Sequence, residues 1–439
     1  MNLQGKRAAI VTLGCKVNQY ETDAMYGMLK EAGVTMVDPK EAADIYIVNT
    51  CSVTNMAERK SRQMLHRAKK KNPDVVVVAV GCYAQVGKEE LSKDTNIDLI
   101  IGNNKKKDLI HILEEHMGEK ESAAESIEVI DIAHDQEYES LHVEQLKEHT
   151  RAYIKVQDGC NQFCSYCIIP YARGPVRSRA KDDVVREIKE LAHNGFKEII
   201  LVGIHVASYG VDLGDTTLES LIMDVDKIDG VERIRLSSIE PMTLNQEFID
   251  SIKDSKKLCH HFHISLQSGC DETLKRMNRK YTTAQFKGIV DGLREAFDDV
   301  AITTDIMVGF PDESDEEFNK TVEFVRNIKF ADAHVFQYSQ RRGTPAAKRP
   351  NQISPDVKEK RSKIIIAETQ KTRDEFINRF IGKTMRVLFE QPAKDGLFEG
   401  KTDNYITVHA PSDIDLNDQF RNVLLERNEN GIVIGKIVE

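Results

Sequence analysis

Residues 155–179 read KVQDGCNQFCSYCIIPYARGPVRSR and follow on from an apolar run, Ala152 to Val156, with the character of a strand. Within them Cys160, Cys164 and Cys167 fall at C-x3-C-x2-C spacing. Three thiolates from one tight loop suit a soft, thiophilic metal centre. A closed structural zinc site takes four ligands, and a fully ligated 4Fe–4S cluster takes four cysteines. Three ligands therefore leave one metal position open, and an open position is where a substrate or cofactor binds. The competing reading is a zinc knuckle with a distant fourth ligand, or part of a disulfide set. No C-x2-C or H-x3-H partner lies nearby to complete a zinc site.

Downstream of this loop, strand and helix patterns alternate. Candidate strands are 152–156, 198–203, 233–237, 262–266, 301–308 and 333–338. Helical periods fill the gaps at 182–194, 217–228, 244–253, 282–297 and 313–327. Six β/α units are too few for a closed eight-stranded barrel and predict an open, partial one. Active sites of β/α barrels lie at the carboxyl ends of the strands. Polar residues gather there: His205, Ser237 and Glu240, Gln267 and Ser268, Asp305 and Gly309, and Tyr338. Each also has a local explanation, such as capping a loop or satisfying backbone donors. Cys259 and Cys270 lack metal-like spacing to any partner and read as structural.

Upstream, one design repeats three times. Apolar runs at 7–13, 44–48 and 74–80 end in Gly14-Cys15, Asn49-Thr50-Cys51 and Gly81-Cys82. Near-continuous β-branched runs are typical of parallel strands covered on both faces, and helical patterns at 18–32 and 56–71 follow the first two. The result reads as an open α/β sheet with Cys15, Cys51 and Cys82 on its carboxyl edge, where such sheets bind ligands. Cysteine also packs as a small hydrophobe, so three unrelated buried cysteines is the alternative. Their common structural position favours a shared metal site.

Length, at 439 residues, suggests about three domains. Expected units are 1–117, an acidic linker at 118–150 with a possible edge strand at 127–132, a barrel at 151–372, and a C-terminal unit at 373–439. In the last unit alternation replaces the helical period, at 383–389, 397–409, 420–426 and 431–438, giving a small all-β barrel. Phe389, Phe398 and Tyr405 read there as core. No run of about 20 apolar residues spans a membrane, and the N-terminus reads as a first strand, with no signal peptide. A cytoplasmic location is expected. Eight cysteines in such a chain argue for metal or redox chemistry over disulfides. A net charge of −10 neither demands nor excludes a nucleic-acid partner, because basic clusters at 59–71, 173–181, 275–280 and 341–363 stand against it.

The cysteine loop, with Tyr166 before its last cysteine, resembles the cluster motif of the radical S-adenosylmethionine (SAM) enzymes. Asp158-Gly159 and Pro170-Tyr171-Ala172-Arg173-Gly174 narrow the resemblance to the methylthiotransferase branch. The stretches TLGCKVNQYETDAM, NTCSVTNMAERK and GCYAQ resemble that branch's N-terminal domain, and the C-terminal barrel resembles the TRAM domain, an RNA-binding module of the OB type. The resemblance implies two 4Fe–4S clusters. Cys160, Cys164 and Cys167 would hold the one that binds SAM, and Cys15, Cys51 and Cys82 an auxiliary one that presents the transferred sulfur. RLSSIEP, HISLQSGCDETLKRMNR and TDIMVGFPDE resemble SAM-binding strand ends, which implies cofactor contacts for Tyr166, His205, Ser237, Glu240, Gln267, Asp305 and Gly309. Where many relatives carry Gly-Gly-Glu, this chain has Gly203-Ile204-His205, so the contact to the methionine amine stays unassigned.

The implied reaction inserts a methylthio group into an unactivated C–H bond, with SAM as both methyl donor and radical source. A flavodoxin- or ferredoxin-type protein would supply the electron. GCNQFCSYCIIPYARGPVRSR with Val156-Gln157-Asp158 is most similar to the group acting on threonylcarbamoyladenosine next to the tRNA anticodon, within the anticodon stem–loop. Related groups act on isopentenyladenosine in tRNA or on a small-subunit ribosomal protein. A non-enzymatic iron–sulfur RNA-binding sensor is the reading from another class.

Overall fold

The computed structural model of the chain describes residues 3–118, 126–143 and 150–438. Its N-terminal part is a parallel sheet of β1 (Arg7–Thr12), β2 (Thr35–Met36), β3 (Ile45–Thr50), β4 (Val76–Gly81), β5 (Leu99–Ile101) and β6 (Ser126–Glu128), ordered β2-β1-β3-β4-β5-β6. All six residues of β3 are buried. In β4, Val77 and Ala79 enter one apolar layer while Val78 and Val80 enter the layer on the opposite face. That is the period of a strand with both faces covered. Helices Lys16–Glu31 and Asn55–Lys71 cover the sheet close to their expected bounds. The acidic stretch read as a linker lies partly outside the described residues, at 119–125 and 144–149. Its middle contributes β6, and Leu141 and Val143 pack against Tyr20 and Ala24.

The central unit continues as β7 (Arg151–Asp158), β8 (Arg177–Ser178), β9 (Glu198–Gly203), β10 (Arg233–Leu236), β11 (His261–Gln267), β12 (Ala301–Val308) and β13 (Asp332–Gln337). The order β8-β7-β9-β10 joins β11-β12-β13 through isolated bridges Ile234–Leu258 and Ile239–Ile264, so the six parallel strands form an open partial barrel, with short β8 antiparallel at one edge. Helix starts follow from capping chemistry: Thr217/Ser220, Thr282/Gln285 and Ser314/Glu317 each close a reciprocal box. In helix Lys181–His193, Val184, Ile188 and Leu191 form the buried stripe.

The C-terminal unit is a closed barrel of β14 (Thr384–Pro392), β15 (Leu397–Lys401), β16 (Thr407–Pro411), β17 (Gln419–Glu429) and β18 (Ile432–Val438), ordered β14-β15-β16-β18-β17. Closure removes the exposed edges an open five-stranded sheet would carry. The stretch 397–409, read as one strand, is two, because Thr402–Ile406 turns tightly with Tyr405 at φ +69°. Helix Pro355–Asn378, absent from the sequence reading, ends with Phe376 and Ile377 in the barrel's core. Phe389 is core as expected. Tyr405 is not: its ring stacks on His261 of the central unit at 4.6 Å. Arg233 donates to the carbonyls of Lys401 and Arg386 (3.0 and 2.7 Å), and Arg235 to that of Asp403 (2.9 Å). These two arginines fix the small barrel against the end of β10.

Candidate functional site

The cysteine loop leaves β7 through Gly159, at φ +74°. A Cβ there would sit 1.7 Å from the Pro175 carbonyl oxygen, so only glycine permits the turn. Cys160 N–H donates to the Gly174 carbonyl (3.0 Å), Ser165 N–H to that of Met277 (2.9 Å), and the Asn278 amide to that of Phe163 (2.9 Å). The three thiols are thus held by backbone from both sides of the loop. Arg279 Nη1 donates to Cys164 Sγ (3.3 Å) while its Nη2 reaches both Glu240 oxygens (2.7 and 2.8 Å). Burial pushes the Cys160 thiol up to about 11 and that of Cys167 to about 12. A metal centre there would displace protons from thiols that are otherwise neutral at pH 7. The donor set fits a three-cysteine cluster: clustered thiols, one receiving an N–H from a fixed guanidinium.

The expected cofactor residues distribute unevenly. His205 and Glu240 meet beside the loop, with His205 Nε2 3.9 Å from Glu240 Oε2 and Nδ1 hydrogen-bonded to Ser208. Ser237 Oγ and Gln267 Oε1 are buried without a partner among the described residues, and Gln267 has φ +67°. Tyr166 packs edge-on against Phe310 in a cluster with Met277, Met307 and Tyr338. Gly309 N–H donates to Glu313 (2.8 Å). Asp305 pairs with His263 (3.2 Å) and lines the same cleft as Ser237. Arg279 was not singled out beforehand, although HISLQSGCDETLKRMNR ends on it.

Burial, and then the charge of Arg279, lower the His205 pKa to about 4. In the unfolded chain His205 titrates near 6.5, so between these values the unfolded state holds the extra proton and stability falls as pH drops. The penalty is roughly 2 kcal/mol at pH 5 and absent at pH 8. His205→Gln is expected to shift the thermal midpoint upward relative to the parent at pH 5 and not at pH 8. Parallel melting curves with pH would contradict this assignment.

At the other cysteine triplet, the glycines ahead of two cysteines have a physical reason. A Cβ on Gly14 (φ +113°) would lie 3.0 Å from Cys51 Cβ, and one on Gly81 (φ +91°) 2.5 Å from Asn49 Oδ1. The three strand ends are packed too closely for side chains there. Burial pushes the Cys51 thiol up to about 11 and raises that of Cys15. Asn103 Nδ2 lies 3.8 Å from Cys82 Sγ, and Arg173 Nε donates to the same sulfur (3.2 Å). Arg173 comes from the short helix that follows Cys167, so one side chain ties the central loop to the N-terminal triplet. Among the described residues no three His, Cys, Asp or Glu side chains close on a single ion position. An iron–sulfur core, whose irons each take their own thiolate, needs no such convergence.

All three units line one cleft of about 810 Å³. Cys15 and Lys16 come from the N-terminal sheet, Ser237 and Asp305 from the partial barrel, and Lys401 and Tyr405 from the small barrel. Cys15 is exposed, but into this walled space. Against the Tyr405 ring lie Arg235 at 4.7 Å and Lys401 at 5.0 Å. Burial raises the Tyr405 pKa, yet Arg151, Lys16 and Lys401 outweigh it, and the net shift is downward. Sequence patterning had buried this tyrosine in a core.

Residues 154–325 match the family described as "Radical SAM superfamily", and residues 7–102 that described as "Uncharacterized protein family UPF0004". The threonylcarbamoyladenosine tRNA methylthiotransferase MtaB of Bacillus subtilis (strain 168) is 39% identical over 405 residues, covering 91% of this chain and 89% of that protein. The tRNA-2-methylthio-N(6)-dimethylallyladenosine synthase of Acetivibrio thermocellus is 36% identical over 436 residues, covering 97% and 90%. The fold is similar to that of the radical SAM methyltransferase TsrM from Kitasatospora setae, with TM-score 0.60 and 14% identity over 94% of this chain and 84% of that one. With such identity along nearly its whole length, the chain belongs to the radical SAM methylthiotransferase family.

Proposed function

We propose that this chain places a methylthio group on carbon 2 of threonylcarbamoyladenosine beside the tRNA anticodon. In this reading Cys160, Cys164 and Cys167 hold the SAM-binding 4Fe–4S cluster, and Cys15, Cys51 and Cys82 hold an auxiliary one. The observation that carries it is the joint between the triplets: Arg173, just past Cys167, donates to Cys82, and Cys15 opens onto the cleft that all three units share. When bound, the clusters and SAM supply the radical, the sulfur and the methyl group that no acid–base side chain can provide.

The protein's part is positioning. Arg279 fixes Cys164 and Glu240 together, and Ser237 Oγ, His205 Nε2 and Gln267 Oε1, which have no hydrogen-bond partner among the described residues, are polar atoms left for a ligand. The Lys401–Tyr405 face of the small barrel would meet the RNA, and an electron donor of flavodoxin or ferredoxin type would serve the cytoplasmic enzyme. The units 1–117, 151–372 and 373–439 would divide these tasks. The choice of base rests on the MtaB relatives, at 39% identity in two organisms.

The test is mass spectrometry of tRNA nucleosides from cells lacking the protein, with and without a rescuing copy. Loss of methylthio-threonylcarbamoyladenosine, restored by the copy, is the expected result. Loss of methylthio-isopentenyladenosine instead would move the chain to the dimethylallyl group. No change in either nucleoside would remove tRNA as the substrate.

A further inference from the structure

The charges around the cleft do not balance locally. The carboxylates that line it, Asp305 and Asp332, pair with His263 (3.2 Å) and Arg373 (3.6 Å), and Glu198, Glu390 and Glu399 behind the lining pair with Arg235 (2.8 Å), Arg151 (2.9 Å) and His409 (3.0 Å). Two ammonium groups are left over. Lys16, which lines the cleft beside Cys15, has no hydrogen bond or ion pair among the described residues. Lys401 donates to Thr407 Oγ1 (2.6 Å) and has no carboxylate within 4 Å among them. Both feel the same Tyr405 and His261. Lys16 is exposed and Lys401 half-buried, and a cleft lined by two ammonium groups with no carboxylate at contact distance focuses a field that favours an anionic ligand.

The substrate proposed above carries such a group. A threonylcarbamoyl substituent ends in a carboxylate, whereas a dimethylallyl substituent is a hydrocarbon. We propose that Lys16 and Lys401 bind the carboxylate of the threonylcarbamoyl group and so select the modified base. This rests on the threonylcarbamoyladenosine reading. In an adenine, carbon 2 and the carbon bearing N6 flank the same ring nitrogen. Anchoring the N6 substituent at Lys16 therefore keeps carbon 2 close to Cys15, the neighbouring residue, on the side from which sulfur would arrive. The apolar and aromatic walls, Val17, Ile204 and Tyr405, suit the base itself.

The test is equilibrium binding, by fluorescence anisotropy, of the cluster-loaded full chain to anticodon stem–loop oligonucleotides carrying threonylcarbamoyladenosine, its methyl ester, or dimethylallyladenosine. The parent is expected to prefer the free acid over its ester. Lys16→Met and Lys401→Met are expected to lose roughly tenfold to hundredfold for the acid, the range for a hydrogen bond to a charged group. The same variants should bind the ester as the parent does, which also reports that they are folded, and Lys16→Arg should recover acid binding. If the parent discriminates acid from ester while both Met variants still do so, the two lysines are not the anchor. If the parent prefers the dimethylallyl stem–loop, the substrate reading itself falls, and this one with it.

Discussion

Arg173→Met is expected to destabilise the chain by about 3–5 kcal/mol, the range for stripping one partner from a buried ion pair. Arg173 is fully buried, and all of its donors are used. Nη1 reaches Glu21 (2.7 Å) and Asp158 (3.1 Å), Nη2 reaches Asn18 Oδ1 (2.9 Å) and Glu21 (3.1 Å), and Nε reaches Cys82 Sγ. Burial pushes the Glu21 and Asp158 pKa values up, but Arg173 with Lys155 outweighs it and holds both well below the usual carboxylate range. Without the guanidinium, Glu21 and Asp158 keep Lys155 (2.8 and 2.6 Å), with Lys106 3.5 Å from Glu21 and Arg177 3.9 Å from Asp158, but both lose the hydrogen bonds that Arg173 supplied. Either they protonate on folding or they repel, and both cost stability. Thermal unfolding at neutral pH should show a midpoint lower by on the order of 10 °C. Arg173→Lys should lie between, keeping a charge but losing the planar fork. Adding Glu21→Gln to Arg173→Met should cost less than the sum of the two, because the second change removes a charge the first left unpaired. A midpoint within a degree of the parent would mean the network contributes nothing to the fold.

The same arginine shows where sequence reading stops. Its stretch was quoted from the outset, but its partners Glu21 and Asn18 lie 152 and 155 residues away, and no local pattern announces a charge that distant partners will bury. Strands were easier. Runs such as Glu198–Gly203 and Ala301–Val308 are apolar enough to fix their own ends, and both match the expected bounds. Helix Pro355–Asn378 was missed because its long charged surface carries only scattered buried apolar positions, Ile365, Phe376 and Ile377, although Ser354-Pro355 is a start signal.

Within the candidate site, the cysteines were legible because ligand spacing is a local property. Tyr405 was not, because Asp403-Asn404 was passed over as a turn signal inside an apparent strand. The turn lifts Tyr405 out of the barrel and into the cleft. Lys16 stood inside a quoted motif, but an ammonium lacking a counter-charge becomes visible only when every neighbouring carboxylate has been assigned.

Cys51→Ala and Cys164→Ala are expected to abolish methylthio transfer equally and to differ in everything measured before it. Each removes one thiolate from a set that has no spare, because Cys259 and Cys270, the only other cysteines, are buried elsewhere in the central unit. Each variant, purified without oxygen and reconstituted, should therefore bind about half the iron of the parent, with one cluster's absorbance and spin signal missing. Cys164→Ala should form no 5′-deoxyadenosine when reduced in the presence of SAM, because the lost ligand belongs to the loop clamped by Arg279 and Glu240. Cys51→Ala should still form it, since the links between its site and that loop, Arg173 to Cys82 and Asn103 to the Ala172 carbonyl, involve none of Cys160, Cys164 and Cys167. Full iron in Cys51→Ala would mean that Cys15, Cys51 and Cys82 are ordinary buried thiols and that sulfur is presented elsewhere. No 5′-deoxyadenosine from the parent would favour a sensor over an enzyme. The separation of the two losses is the informative result, because a fold defect would remove both.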